Sequence, residues 1–258
     1  MRDKKKSDDF WMNSLTEIHE VLAESEAYTE GNRLSIEDEL RERRSIEGYT
    51  FDIVSVLYSS GAPMPEVAKA AKTLLIEAYP KFVALCRQDP DYAVGAYGGG
   101  WDFRTRYLAL AVLARLTPEE GLPLVEAMDF WPERDAVWEH FIAALGHGSD
   151  RPPVDTLVWR EAYEYLREAL DPAGTDLTRL AALKTFDKNW LKEMRSATNP
   201  FYSNENNKNN TYVGYWDFEA AAAAVIMSID DEQLADLGAA MSLHSATKYI
   251  GGHGDVIA

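Results

Sequence analysis

The chain has 258 residues, 46% of them hydrophobic and 11% aromatic, which is enough apolar material for one large domain or two small ones and too much for a disordered chain. Twenty-six basic residues against forty-three acidic ones give a formal net charge of −17, so nucleic acid and anionic membranes are excluded as direct partners, while solubility and faster encounter with a basic protein are both open as its purpose. The sequence contains no apolar run of about eighteen residues, its basic start MRDKKKSDDFW lacks the apolar segment of a secretory signal, and its one cysteine, Cys86, supports no disulfide framework. A bacterial cytoplasm is the expected location.

Helical periodicity dominates the chain. Ile46, Tyr49, Ile53, Val56, Leu57 and Ser60 fall at helical spacing, and Gly61 and Pro63 within SSGAP end that helix. Val67, Ala71, Leu74, Leu75 and Ala78 make the next stripe, with a kink or restart expected at Pro80 before Phe82 and Leu85. Phe103, Tyr107, Leu110, Ala111 and Ala114 form another. TPEEG, from Thr117 to Gly121, supplies a capping threonine, a first-turn proline and early acidic residues, so a helix starts there. Val137, Phe141, Ile142 and Leu145 follow, closed by Gly146.

HGSDRPPVD, from His147 to Asp155, is the clearest internal break, with Pro152 and Pro153 separating an N-terminal from a C-terminal part. Two further stripes, Leu157/Ala162/Leu166/Leu170 and Leu177/Leu180/Ala181/Lys184/Leu191, precede a polar stretch, TNPFYSNENNKNNT, and the alanine-rich FEAAAAAVIM. Alternating strand patterns are nearly lacking, so the expected fold is all-α, a bundle of antiparallel helices in two adjoining parts. No metal is expected: none of His19, His140, His147, His244 and His253 lies in a ligand-pair motif. GAYGGGWD, from Gly95 to Asp102, has no Lys-Ser/Thr and no preceding strand, and reads as a connection that leaves Asp102 near a helix start.

NNTYVGYWDFEAAAAAVIMSIDDEQL, Asn209 to Leu234, is the distinctive segment. It resembles the C-terminal signature of the PoNi immunity proteins, which protect bacteria against PoNe-type DNase toxins commonly delivered by type VI secretion. More weakly, MRDKK, the charged helix with Arg41, Arg43 and Arg44, LYSSGAP, Trp190 and Met194 are similar to other parts of that family, extending the resemblance over residues 1 to about 236. It implies an all-helical protein without catalysis or cofactor that binds a cognate basic DNase and blocks its active site or DNA groove. A homodimer is a further option.

Physically, Gly214 permits a tight entry to the following helix, and Tyr212, Tyr215, Trp216 and Phe218 crowd that entry with aromatics read mainly as core. Glu219, among them, needs a buried hydrogen bond or ion pair. Asp217 is expected to be exposed. On exposure and charge, Asp217, Tyr212, Asn207, Asn210 and Asp102 are the candidate toxin contacts, while Gly214, Tyr215, Trp216, Phe218 and Glu219 are the structural signature.

The end of the sequence, HSATKYIGGHGDVIA from His244, is similar to the cofactor-lysine segment of cystathionine and methionine lyases, in which the residue matching Lys248 would carry pyridoxal phosphate and Ser245 and Thr247 would help hold its phosphate. Nothing from Met1 to Met241 resembles the α/β domain such a site requires. The expected division is therefore 1–148, an N-terminal helical part; 149–240, a C-terminal helical part with the signature; and 241–258, a foreign, inert tail. The alternatives to toxin neutralisation are a generic helical interaction scaffold and a fragment of such a lyase.

Overall fold

A computed structural model of the chain describes residues 6–98, 101–197, 212–214 and 216–229. Asn207, Asn210, Tyr215, Lys248 and the whole of 241–258 lie outside these residues. Every regular element among the described residues is a helix, so the protein is all-α. The helices group into two compact units that do not follow chain order: 1–100 with 123–131 and 205–214, and 101–122 with 132–204 and 215–258. The segment His147–Asp155 thus lies inside the second unit.

In the first unit, α1 (Asp8–Gly31) and α2 (Ile36–Ser60) pack along each other through a short connection, an antiparallel pair. Ser7 and Ser35 cap them, accepting hydrogen bonds from Phe10 N and Asp38 N at 3.2 Å each. As the sequence predicts, α2 stops at Gly61, whose φ of 87° is left-handed; Gly61 N donates to Tyr58 O and Ala62 N to Leu57 O, which satisfies the last carbonyls.

The proline at 80 acts one turn before its own position. α3 (Met64–Lys72) passes through a π-helical stretch, Thr73–Ala78, into α4 (Tyr79–Cys86), and Tyr79 N donates five residues back to Leu74 O. An ordinary helix would drive the Pro80 ring into the carbonyl of Ile76; the wider turn accommodates it without ending the helix. α5 (Pro90–Tyr97) follows, capped by Asp89. Tyr79 then anchors residues 123–131, since its hydroxyl accepts from Trp131 Nε1 at 2.8 Å.

In the second unit, α6 (Trp101–Leu113) leads to α7 (Pro118–Met128), which passes into the first unit at Pro123. The predicted α7 start is a reciprocal capping box: Glu120 N donates to Thr117 Oγ1 at 3.2 Å and Thr117 N to Glu120 Oε2 at 3.0 Å. α8 (Ala136–Ala144) closes at Gly146, φ 88°. Its N-cap, Asp135, also accepts from Val158 N at 2.7 Å, and Arg134 and Arg151 converge on Glu139 (Arg151 Nε to Glu139 Oε2, 2.5 Å) while Arg134 Nη2 donates to Pro152 O. These bonds tie the proline-rich segment onto α8.

α9 (Arg160–Leu170) and α10 (Asp176–Ala197) pair, and α11 (Phe218–Ile226) packs against α6, α9 and α10. All five alanines from Ala220 to Ala224 have no exposed surface. Consecutive residues turn through every side of a helix, so α11 is enclosed all round, which small side chains permit. On α10 the expected stripe is corrected: Leu177 is 77% exposed, and the buried face is Ala182, Leu183, Phe186 and Trp190. Both sets have helical spacing, and the one carrying the large aromatic surfaces goes inside.

Candidate functional site

The signature marks the point where the chain leaves the first unit and enters the second. Gly214 has φ 100°, a conformation that favours glycine, and makes the turn that the sequence predicts. Before it, Tyr212 is buried, its ring 5.8 Å from that of Trp11 on α1, and Val213 O accepts a hydrogen bond from Ser59 Oγ at 2.8 Å. After it, Trp216 is half-buried, and Phe218 starts α11 at 1% exposure.

Glu219 has no exposed surface, and its expected partner is Arg106 of α6: Nε donates to Oε1 at 3.3 Å. The guanidinium also lies over the Trp190 ring of α10, 5.7 Å from its centroid. Two residues earlier on α6, Arg104 is equally buried, 3.8 Å from Glu133 and 5.1 Å from the Trp138 ring, and Trp138 Nε1 donates to Thr105 Oγ1 at 2.8 Å. α6 therefore brings two arginines into an apolar interior, each with a carboxylate and an indole. Arg106 was legible in part, since FRTRYLALAVLA sets two arginines within an apolar helix; its pairing with Glu219, 113 positions away, was not.

The exposure expected of Asp217 is corrected. It is 2% exposed, because it is the N-cap of α11: Oδ1 accepts from Ala220 N at 2.8 Å. Burial above all, then the nearby Glu219 and Asp187 carboxylates, hold its pKa well above the usual Asp value, against the opposing pull of the Ala220 N–H and Arg106. Oδ2 has no hydrogen-bond partner among the described residues. A carboxyl whose folded-state pKa is raised binds its proton more tightly folded than unfolded. The stability it supports is complete below the unfolded value, near 3.9, and falls as pH rises toward the folded value.

Asp217→Asn keeps the capping oxygen and removes the charge. It is expected to raise the thermal midpoint at pH 7, with the gain shrinking to nothing toward about pH 4. Circular-dichroism melts of dilute protein from pH 8 to 4 measure this; a lower midpoint at pH 7 contradicts it.

Of the other candidate contacts, Asp102 falls in the first turn of α6, its side chain outside the described set. The structure thus places Trp216, Asp217, Phe218 and Glu219 at the α11 entry, with Gly214 in the turn before it. Among the described residues, no group of three or more His, Cys, Asp or Glu side chains is placed to hold a metal ion. His147 instead meets Pro118 O at 2.8 Å, and Cys86 is buried, its thiol pushed up to about 12.

Residues 133–238, which contain the α11 entry, match the family model for PoNe immunity proteins (PoNi), C-terminal. The matched region thus contains Glu219, Asp217 and α11, while Arg106, the buried counter-charge, comes from α6, outside the match. The crystal structure of protein PA2201 from Pseudomonas aeruginosa is similar over 98% of this chain and 92% of that one, with a TM-score of 0.66 at 17% identity, a likeness of fold. No curated protein matches the sequence.

Proposed function

We propose that this chain is a non-catalytic immunity protein of the bacterial cytoplasm that binds a cognate, basic DNase toxin and keeps it from DNA. The match of residues 133–238 to PoNe immunity proteins carries this reading. The charge of −17 supports it physically. A nuclease must present positive surface to hold phosphates, and an acidic inhibitor is steered onto that surface and excludes the nucleic acid from it. Delivery of the toxin by type VI secretion or by contact between competing cells fits the same reading.

The test is a DNA-cleavage assay of the nuclease encoded beside this gene, with the full chain titrated in at two salt concentrations. Inhibition that saturates at a fixed molar ratio and weakens as salt rises is the expected result. Full cleavage at every ratio, with no complex by size exclusion, overturns the assignment.

A further inference from the structure

α1 has an inner face, where Trp11, Ser14 and Thr29 are buried, and an outer face whose composition the fold does not explain. The helix carries seven carboxylates, Asp8, Asp9, Glu17, Glu20, Glu24, Glu26 and Glu30, all exposed, with no lysine or arginine, and Glu17, Glu20 and Glu24 share one side of it. Asp8 and Asp9 need no further account, since acidic residues in a first turn favour the helix dipole. The other five run against local stability. Glu17, Glu20 and Glu24 follow at spacings of three and four, and Glu26 and Glu30 at four, which sets like charges side by side. Glu30 adds negative charge to the negative end of the dipole. None of the five makes an ion pair among the described residues.

α1 exposes apolar side chains as well, and two of them, Val21 and Tyr28, are on the side that carries Glu17 and Glu24. Of the seven large hydrophobic residues exposed among the described ones, three are on α1: Met12 at 60%, Tyr28 at 50% and Val21 at 38%. Glu17, Val21, Glu24 and Tyr28 succeed one another at spacings of four, three and four, so acid and apolar side chains alternate along one stripe. Local rules broken together on one surface, with no compensating ion pair among the described residues, mark a surface kept for something outside the fold.

We propose that the outer face of α1 is the docking surface for the basic, DNA-holding groove of the cognate nuclease, with Tyr28 and Val21 as apolar anchors and Glu17, Glu20 and Glu24 as the charges that meet its lysines and arginines. This rests on the immunity reading above. A helix of this length extends about 36 Å, long enough to lie in a groove shaped for a duplex. The partner that would neutralise such a face is one with a positive groove lined in part by apolar atoms. Binding there relieves the repulsion along α1, so the free protein is held below its own best stability to fit its target.

That gives the test a sign which misfolding cannot imitate. Glu17→Lys with Glu24→Lys places cations at spacings of three and four from Glu20, where each now attracts it. The thermal midpoint of the free full-length chain is expected to stay level or rise, while the affinity for a catalytically dead form of the neighbouring nuclease falls about 100-fold, chiefly through the association rate. Tyr28→Ser is expected to lose about 10-fold, chiefly through dissociation. The matched reversal on α9, Glu161→Lys with Glu168→Lys, also on exposed residues, controls for net charge and should change affinity less than about threefold.

If the wild-type chain binds and inhibits while the α1 variants bind within threefold of it, the docking surface is wrong and the immunity reading stands. Equal losses from α1 and α9 reduce the effect to net charge and likewise overturn the α1 assignment. If the wild-type chain neither binds nor inhibits, the immunity reading fails and takes the docking surface with it.

Discussion

Arg106→Met is expected to cost about 3–5 kcal/mol of folding stability, because it leaves the fully buried Glu219 without the cation that faces it. The two are brought together from α6 and α11 in an interior built from Phe186, Trp190, Phe218 and the alanines of α11, where a charged carboxylate has no water to turn to. Methionine keeps much of the volume and can still lie along the Trp190 ring, so lost packing contributes little. The double variant Arg106→Met, Glu219→Met is expected to recover most of the loss, since an apolar pair of similar size carries no desolvation cost. Urea unfolding of the wild type, both single variants and the double measures the coupling directly. A single-variant loss under about 1 kcal/mol would mean that the cluster tolerates Glu219 without Arg106, and the ion pair would not be what fixes α6 against α11.

That pair also shows how far the sequence could be read. Glu219 announces a need, as a carboxylate set among aromatics, and the need was legible; the residue that answers it comes from a helix far away in the chain, and nothing local points to it. Helix ends were legible for the opposite reason. Gly61, Gly146 and the Thr117–Glu120 box act through bonds made within a few residues of themselves, so a short stretch contains the whole cause.

Where a residue's fate depends on a third dimension, the local reading failed. Asp217 looks like a surface acid beside a polar loop, but the cap it forms puts it at the start of a helix enclosed on every side. On α10, two stripes satisfy the same spacing, and only the competition for burial separates them: Lys184 stands in the stripe that lost, and Phe186 and Trp190 in the one that won. Pro80 gave the position of an irregularity and not its kind, because the choice between a break and a widened turn depends on whether Leu74, Leu75, Phe82 and Val83 can stay buried together. As for the surface proposed for docking, no residue of it was singled out in the sequence. The family signature lies at the α11 entry, where the fold is held, while the unexplained surface is on α1, which carries no motif.

Trp11→Ala is the second large effect, again about 3–5 kcal/mol at a fully buried aromatic, and its consequences should be confined. Trp11 is 1% exposed, lies edge-on to Phe10 at 5.1 Å and faces Tyr212 at 5.8 Å. Along the 24 residues of α1 the other buried positions are Ser14 and Thr29, with Leu15, Ile18 and Leu22 half-buried, so this indole is the one large side chain of the helix that is fully enclosed. Removing it is expected to release α1 as a local unit, because a segment held by few apolar contacts opens before the rest unfolds. Hydrogen exchange in α1 should then accelerate by orders of magnitude while amides of α6, α9 and α11 keep their protection, and the loss seen in global unfolding should level off at the docking free energy of α1 itself. Uniform loss of protection throughout would instead make α1 part of the cooperative core. With the outer-face variants, which leave the helix in place and change its charge, this substitution separates the two requirements of the proposed docking: that the acidic stripe exists, and that it is held still.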